Sequence, residues 1–181
     1  MFLTRGVIAI AWAAVFTAVS DSLTLAVGIL LVLYPLIDVV ATLLDARTQQ
    51  ESARRLLLAN GAVSAIVAIA LGVAATGSIA NVFTVFGAWA FVSGAAQLAT
   101  AIRRRVLLGK QWPMRLAGAG SIIIGLAYLV GSTTAEPKLS MLALYAFTGG
   151  VDFIIEAWLL GRRRRRVVNV PRRDTTLVPQ S

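Results

Sequence analysis

Six apolar stretches alternate with short polar connections along this chain, and they constrain its fold more than any other feature. Most are close to the roughly 20 residues that a helix needs to cross about 30 Å of hydrocarbon. They occupy residues 3–20, 23–44, 56–76, 79–102, 116–133 and 138–160. The sequence therefore predicts an all-α membrane protein with six transmembrane helices.

Basic residues lie almost entirely on one side of these stretches. Of the 17 Lys and Arg residues, only Lys138 falls in a connection on the other side. The rest lie in the N-terminus, in the connections 45–55 and 103–115, or after residue 161. Because cytoplasmic loops carry an excess of Lys and Arg, we expect a multi-pass protein with both termini in the cytoplasm.

Composition excludes several classes of protein. A hydrophobic fraction of 58% exceeds what 181 residues can bury in a soluble core. The net charge of +9 lies beside the apolar stretches, where it attracts anionic lipid, so a nucleic-acid partner is not expected. Cysteine and histidine are absent, which rules out disulfides, zinc–thiolate sites and histidine-ligated haem in this chain. We therefore expect no cofactor.

Residues that recur at a period of about 57 indicate three copies of a helical hairpin. The recurring sets are Gly6, Gly61 and Gly118, then Asp38, Ser93 and Asp152, and one helical turn later Thr42, Gln97 and Glu156. Two-helix units preserve orientation, so the repeats, at about 3–47, 56–105 and 116–161, are predicted to be parallel and related by an axis along the membrane normal.

Residues 162–181 form a separate segment in this interpretation. They contain five consecutive arginines, two prolines and few large apolar groups, a composition typical of a solvated, disordered cytoplasmic tail. The arginine run either anchors the topology or contacts anionic lipid or an acidic partner. Its members are Arg162, Arg163, Arg164, Arg165 and Arg166.

The third hairpin carries a resemblance to a known family. The segments Gln111–Gly118 and Ile123–Val130, followed by Glu136 and Pro137, supply a tryptophan, an apolar run with spaced glycines and a closing proline. This pattern resembles the HdeD-type family of small bacterial inner-membrane proteins, which are built from short repeats of unknown function. The resemblance covers residues 1–161, most clearly 86–161, and implies a six-helix repeat protein of the inner membrane. One branch of the family is linked to acid resistance, and the first hairpin departs from the pattern at Pro35.

Six polar residues are expected to form a band inside the membrane where the even-numbered helices meet. They are Asp38, Thr42, Ser93, Gln97, Asp152 and Glu156. Charged groups inside a bilayer are costly and often functional, so this band is a candidate site for a proton or a cation. The alternative is that these groups hydrogen-bond between helices and hold the repeats in register, or that Glu156 extends toward the nearby arginines.

Two further features leave alternatives open. The stripe of small residues at Ala117, Ser121 and Gly125 permits close helix packing, either within one protomer or against a second copy or another membrane protein. Pro35 and the pair Gly149–Gly150 precede polar-band residues and are expected to weaken their helices, as in carriers with broken helices.

No nucleophile–base pair, phosphate-binding loop or metal-ligand cluster is present in the sequence, so an enzyme is not expected. The favoured interpretation is an HdeD-type inner-membrane protein that acts through lipid or protein association, in a stress response or as an accessory subunit. The alternative is a small channel or carrier for protons, cations or small solutes, lined by the polar band.

Overall fold

The computed structural model describes residues 2–48, 50–108, 112–134 and 137–168, and every regular element in them is an α-helix. The helices are α1 (Phe2–Val19), α2 (Leu25–Ala46), α3 (Glu51–Ala75), α4 (Ile79–Leu108), α5 (Trp112–Gly131) and α6 (Met141–Val168). The predicted number of helices and the all-α class are therefore confirmed. By length and composition, α2 to α6 are apolar enough to cross a membrane, whereas the apolar part of α1, Leu3–Val19, is shorter.

The helices extend further into the basic connections than predicted. The chain leaves α2 at Ala46 and enters α3 at Glu51, and α4 continues to Leu108. The tail boundary differs in the same way, because α6 continues past residue 161 to Val168. Arginine is a good helix former, so an arginine run can prolong a helix that already exists. Residues 162–168 are therefore helical rather than disordered, and the rest of the predicted tail lies outside the described residues.

Pro35 and the Gly149–Gly150 pair lie within continuous helices, so the structure shows no break at the positions where weakening is predicted. Pro35 is buried within a continuous α2, and both glycines lie within α6. Proline is tolerated in transmembrane helices because neighbouring groups satisfy the backbone carbonyl that it leaves free.

Three pairs of helices pack most closely: α1 with α6, α2 with α3, and α4 with α5. Each pair joins helices from two different predicted hairpins, and the two helices within a predicted hairpin make less contact with each other. Glycines produce the closest approaches. A methyl group at Gly94 of α4 would lie 2.7 Å from the carbonyl oxygen of Gly118 in α5, and one at Gly6 of α1 would lie 2.7 Å from that of Gly150 in α6.

Aromatic side chains fill the middle of the bundle. The ring of Phe86 lies 5.4 Å from those of Trp89 and Tyr145, 5.8 Å from that of Tyr128 and 6.1 Å from that of Tyr34. Most of these pairs meet edge to face, the arrangement that aromatic rings prefer. The backbones of α2, α4 and α6 do not approach one another within the described residues, so these rings bridge the even-numbered helices.

Candidate functional site

The predicted polar band lies on one side of the aromatic core, toward the helix ends that carry most of the basic residues. On α2, Asp38 follows Tyr34 by one turn, and on α4, Ser93 follows Trp89 by one turn. Of the six band residues, Thr42 is buried and the other five are half-buried. The contacts of these residues divide the band into two parts.

Asp38 belongs to a hydrogen-bonded network that joins three helices. Its Oδ2 accepts hydrogen bonds from Asn60 Nδ2 at 3.1 Å and from Ser64 Oγ at 2.8 Å, which connects α2 to α3. Its Oδ1 lies 3.8 Å from Nη1 of Arg5 in α1. Ser64 is only 1% exposed, so its hydroxyl group has exchanged water for this carboxylate. The side chain of Asp38 therefore acts as a structural contact between helices.

Arg5 is the centre of this network. Sequence reasoning does not identify it as a site residue, because the position of its charge is already explained by topology. Its Nη2 donates to Asp45 Oδ2 at 2.9 Å, and its side chain is 17% exposed. The guanidinium group also lies 5.9 Å from the ring centre of Phe153 in α6. Two sequence signals were available: the spacing of Asp38 and Asp45, two turns apart on one helix face, and the pair Asn60 and Ser64, one turn apart in an otherwise apolar span.

Thr42 lies on the same face of α2, between the two aspartates of this network. It is 1% exposed, and its methyl group lies 3.5 Å from the position that a Cβ would occupy at Gly61. Its hydroxyl oxygen has no hydrogen-bond partner within the described part of the chain. The buried Nε atom of Arg5 also has no hydrogen-bond partner among the described residues. We call the set Arg5, Asp38, Thr42, Asp45, Asn60 and Ser64 the α1–α3 polar cluster.

The other four band residues are not brought into this cluster. Asp152 and Glu156 lie one turn apart on α6, where each feels the other's charge when both are ionised. Among the residues that the structure describes, the side chains of Asp152, Glu156, Ser93 and Gln97 make no hydrogen bond or ion pair. The predicted band therefore divides into two parts. Asp38 and Thr42 belong to the cluster among α1, α2 and α3, whereas the half-buried side chains on α4 and α6 make no described hydrogen bond or ion pair.

One member of the predicted lipid-contact run can be described. The guanidinium group of Arg162 stacks on the ring of Trp158, 3.9 Å from its centre, one turn away on α6. Trp158 is 55% exposed, as expected for an aromatic residue at a membrane interface. The side chains of Arg163 to Arg166 lie outside what the structure describes.

The described ranges offer few ligands for a metal ion. No three carboxylate, histidine or cysteine side chains converge there on a common point. The α1–α3 polar cluster contains two carboxylates, but Arg5 already pairs with both of them. Its chemistry is that of a charge-compensated contact between helices.

Comparison with known proteins gives one match. Residues 59–130 match the model of the family described as a short repeat of unknown function (DUF308), the family to which HdeD-type proteins belong. The matched segment covers most of α3, all of α4 and nearly all of α5. No curated protein and no solved structure matches the chain. An apolar helical chain with this short-repeat segment is consistent with an integral membrane protein of unknown function.

Proposed function

We propose that this chain is a non-enzymatic, HdeD-type protein of the bacterial inner membrane that acts by associating with lipid or with another membrane protein, in the response to acid or related stress. The observation that carries this proposal is the use of polar groups inside the bundle. Asp38, the band residue with the most contacts, is bonded to Asn60, Ser64 and Arg5, beside an aromatic core that bridges the even-numbered helices. Bonds of this kind hold helices together in a membrane.

The same proposal includes three parallel hairpin repeats with both termini in the cytoplasm. The one-sided distribution of basic residues supports the orientation. The three close helix pairs support the repeats, because α2 packs on α3, α4 on α5 and α6 on α1. In each case the second helix of one hairpin meets the first helix of the next, which is the arrangement that a closed ring of three equivalent units requires.

A complementation experiment tests the proposal. A strain without the gene is challenged at low pH and supplied with the wild-type chain or with a double variant, Asp152→Asn with Glu156→Gln. These substitutions keep side-chain size and hydrogen-bonding capacity while removing both charges. If the protein acts by association, the double variant restores survival as well as the wild type does. Wild-type complementation together with failure of the double variant would contradict the proposal.

A second function, a small proton or cation channel or carrier, is favoured by one observation. Asp152, Glu156, Ser93 and Gln97 are half-buried and have no side-chain partner among the described residues. Carboxylates inside a membrane commonly mark ion pathways. Purified protein in liposomes, loaded with a pH-sensitive dye and subjected to a pH step, distinguishes the two functions. Flux that disappears in the double variant supports the carrier, and flux no greater than that of empty liposomes supports the association function.

A further inference from the structure

A groove of about 350 Å³ opens between α1 and α6 on the outer surface of the bundle, away from the polar cluster. Its lining includes Ala13, Ala14 and Thr17 of α1, Ala143 and Phe147 of α6, and Ser140, which directly precedes α6. The hydroxyl group of Thr17 donates to the carbonyl oxygen of Ala13 at 2.8 Å. Because the Thr17 hydroxyl hydrogen is used within α1, the α1 side of the groove presents a mainly apolar surface.

The groove lies where two helix pairs differ in their glycine content. The α4–α5 pair has glycines at two levels seven residues apart, Gly87 and Gly94 on α4 and Gly118 and Gly125 on α5, and all four lie in tight contact with the partner helix. The α1–α6 pair has glycines at one level only, Gly6 and Gly150.

Alanine replaces glycine at the second level of the α1–α6 pair. Seven residues after Gly6 comes Ala13, and seven residues before Gly150 comes Ala143. Both alanines line the groove. An alanine methyl group does not let two helix backbones approach as closely as glycine does, and the groove lies at the level where alanine takes the place of glycine.

The position of the groove suits a lipid chain. It runs beside α1 from Ile10 to Thr17, about 10 Å at 1.5 Å per residue. One leaflet contributes about 15 Å of hydrocarbon, so the groove accompanies most of a single acyl chain. Leu144 and Phe147, 57% and 48% exposed, form a rim that faces the same apolar surroundings.

A positive charge lies at the polar end of the groove. Lys138 is exposed and precedes the lining residue Ser140 by two positions, which places their Cα atoms within about 7 Å of each other. It also lies three residues before the start of α6, whose N-terminus favours an anion. An apolar groove that ends close to an exposed lysine has the complementary shape and charge for a phospholipid with an anionic headgroup.

We propose that this groove holds one acyl chain of a phosphatidylglycerol molecule, with the lipid phosphate against Lys138. The lipid belongs to the leaflet on the side of the α1–α2 and α5–α6 connections. This inference deepens the proposed lipid association by naming a site, and it is independent of the arginine run, which lies at the opposite end of α6.

Native mass spectrometry of the purified protein, with added phosphatidylglycerol or phosphatidylcholine, tests the site. Ala14→Phe fills the groove from an exposed position, and Ala11→Phe is its matched control because Ala11 is exposed on the same helix outside the lining. Lys138→Gln removes the charge, and Arg115→Gln removes an exposed charge on the other side. Near a membrane surface, one basic residue changes anionic-lipid affinity about fivefold.

We expect Ala14→Phe to lose bound phosphatidylglycerol and Ala11→Phe to retain it. We also expect Lys138→Gln to lower the retention of phosphatidylglycerol relative to phosphatidylcholine, and Arg115→Gln to leave this ratio unchanged. Equal retention in the two phenylalanine variants would overturn the proposal. So would a change in the monomer–dimer ratio of Ala14→Phe without lipid loss, because the groove would then hold a second copy of the chain. Complementation and flux measurements test the proposed function separately, so the two can fail independently.

Discussion

Replacing Gly125 by alanine should separate α4 from α5 and destabilise the protein. A methyl group at Gly125 would lie 2.5 Å from the backbone nitrogen of Phe91, 2.8 Å from the carbonyl oxygen of Gly87 and 2.9 Å from Cα of Phe91. Ordinary contacts of a Cβ atom begin at 3.4 Å, and all three opposing atoms belong to the backbone. The two helices must therefore move apart by about 1 Å at this level, and forcing a methyl group into a packed interface typically costs about 1–3 kcal/mol.

Gly120→Ala is the matched control for this prediction. Gly120 lies on the same helix, but nothing lies within 4 Å of the position of its Cβ. Both substitutions gain about 1 kcal/mol because alanine is a better helix former than glycine, and this gain cancels when the two variants are compared. The difference in unfolding free energy between Gly125→Ala and Gly120→Ala should therefore be about 1–3 kcal/mol, which is the steric term alone.

Reversible unfolding in mixed dodecylmaltoside and dodecylsulfate micelles, followed by far-ultraviolet circular dichroism, measures both variants against the wild type. We expect the control to be as stable as the wild type or more stable, and Gly125→Ala to unfold at a lower fraction of dodecylsulfate. Agreement of the two variants within about 0.5 kcal/mol, the scale of an ordinary surface substitution, would refute the close packing of α4 and α5 at this level.

Three further predictions concern the polar residues and the topology. Asp38→Ala leaves the donors of Asn60 and Ser64 without an acceptor and should lower the unfolding free energy by about 1–3 kcal/mol in the same assay. Asp152→Ala, which has no described side-chain partner, should lower it less, and equal losses would contradict the division of the band into two parts. Arg5→Gln should lower the unfolding free energy more than Arg54→Gln, an exposed arginine without a described ion pair, and similar values would show that the pairs of Arg5 with its two aspartates contribute nothing. Because the chain has no native cysteine, an impermeant thiol reagent applied outside the cell should label Ser78→Cys and leave Gln50→Cys unlabelled, and the reverse pattern would invert the orientation.

The all-α class and the number of helices could be predicted from sequence because a membrane span leaves few choices. A backbone in hydrocarbon must satisfy its own hydrogen bonds, so an apolar stretch of about 20 residues is a helix almost regardless of detail. Which helices pack together depends instead on the shape of their faces. The small-residue stripe at Ser121 and Gly125 was recognisable, but only the structure shows that this face meets Gly94 and Gly87 of α4 within one chain.

The polar band was predicted less well for a related reason. Helical periodicity places residues on a common face of one helix, and it correctly aligned Asp38 with Thr42 and Asp152 with Glu156. It cannot tell which other helix that face meets. Asp38 finds its partners on α3 and α1, helices that were not considered for the band, and its network leaves Asp152 unconnected.

The position of α1 depends on contacts with other helices because its own apolar length is the shortest of the six. Three of those contacts are Arg5 with Asp45 at 2.9 Å, Gly6 against Gly150, and the indole of Trp12 donating to the carbonyl oxygen of Leu30 at 2.9 Å. Two of them involve α2 and one involves α6, so α1 closes the ring between the second helix and the last. Arg5 is thus a structural partner of Asp45, and in the proposed topology it is also one of the charges that orient the chain. Because a substitution at Arg5 alters packing as well as charge, the cysteines at exposed positions, rather than Arg5 variants, provide the clean test of the proposed topology.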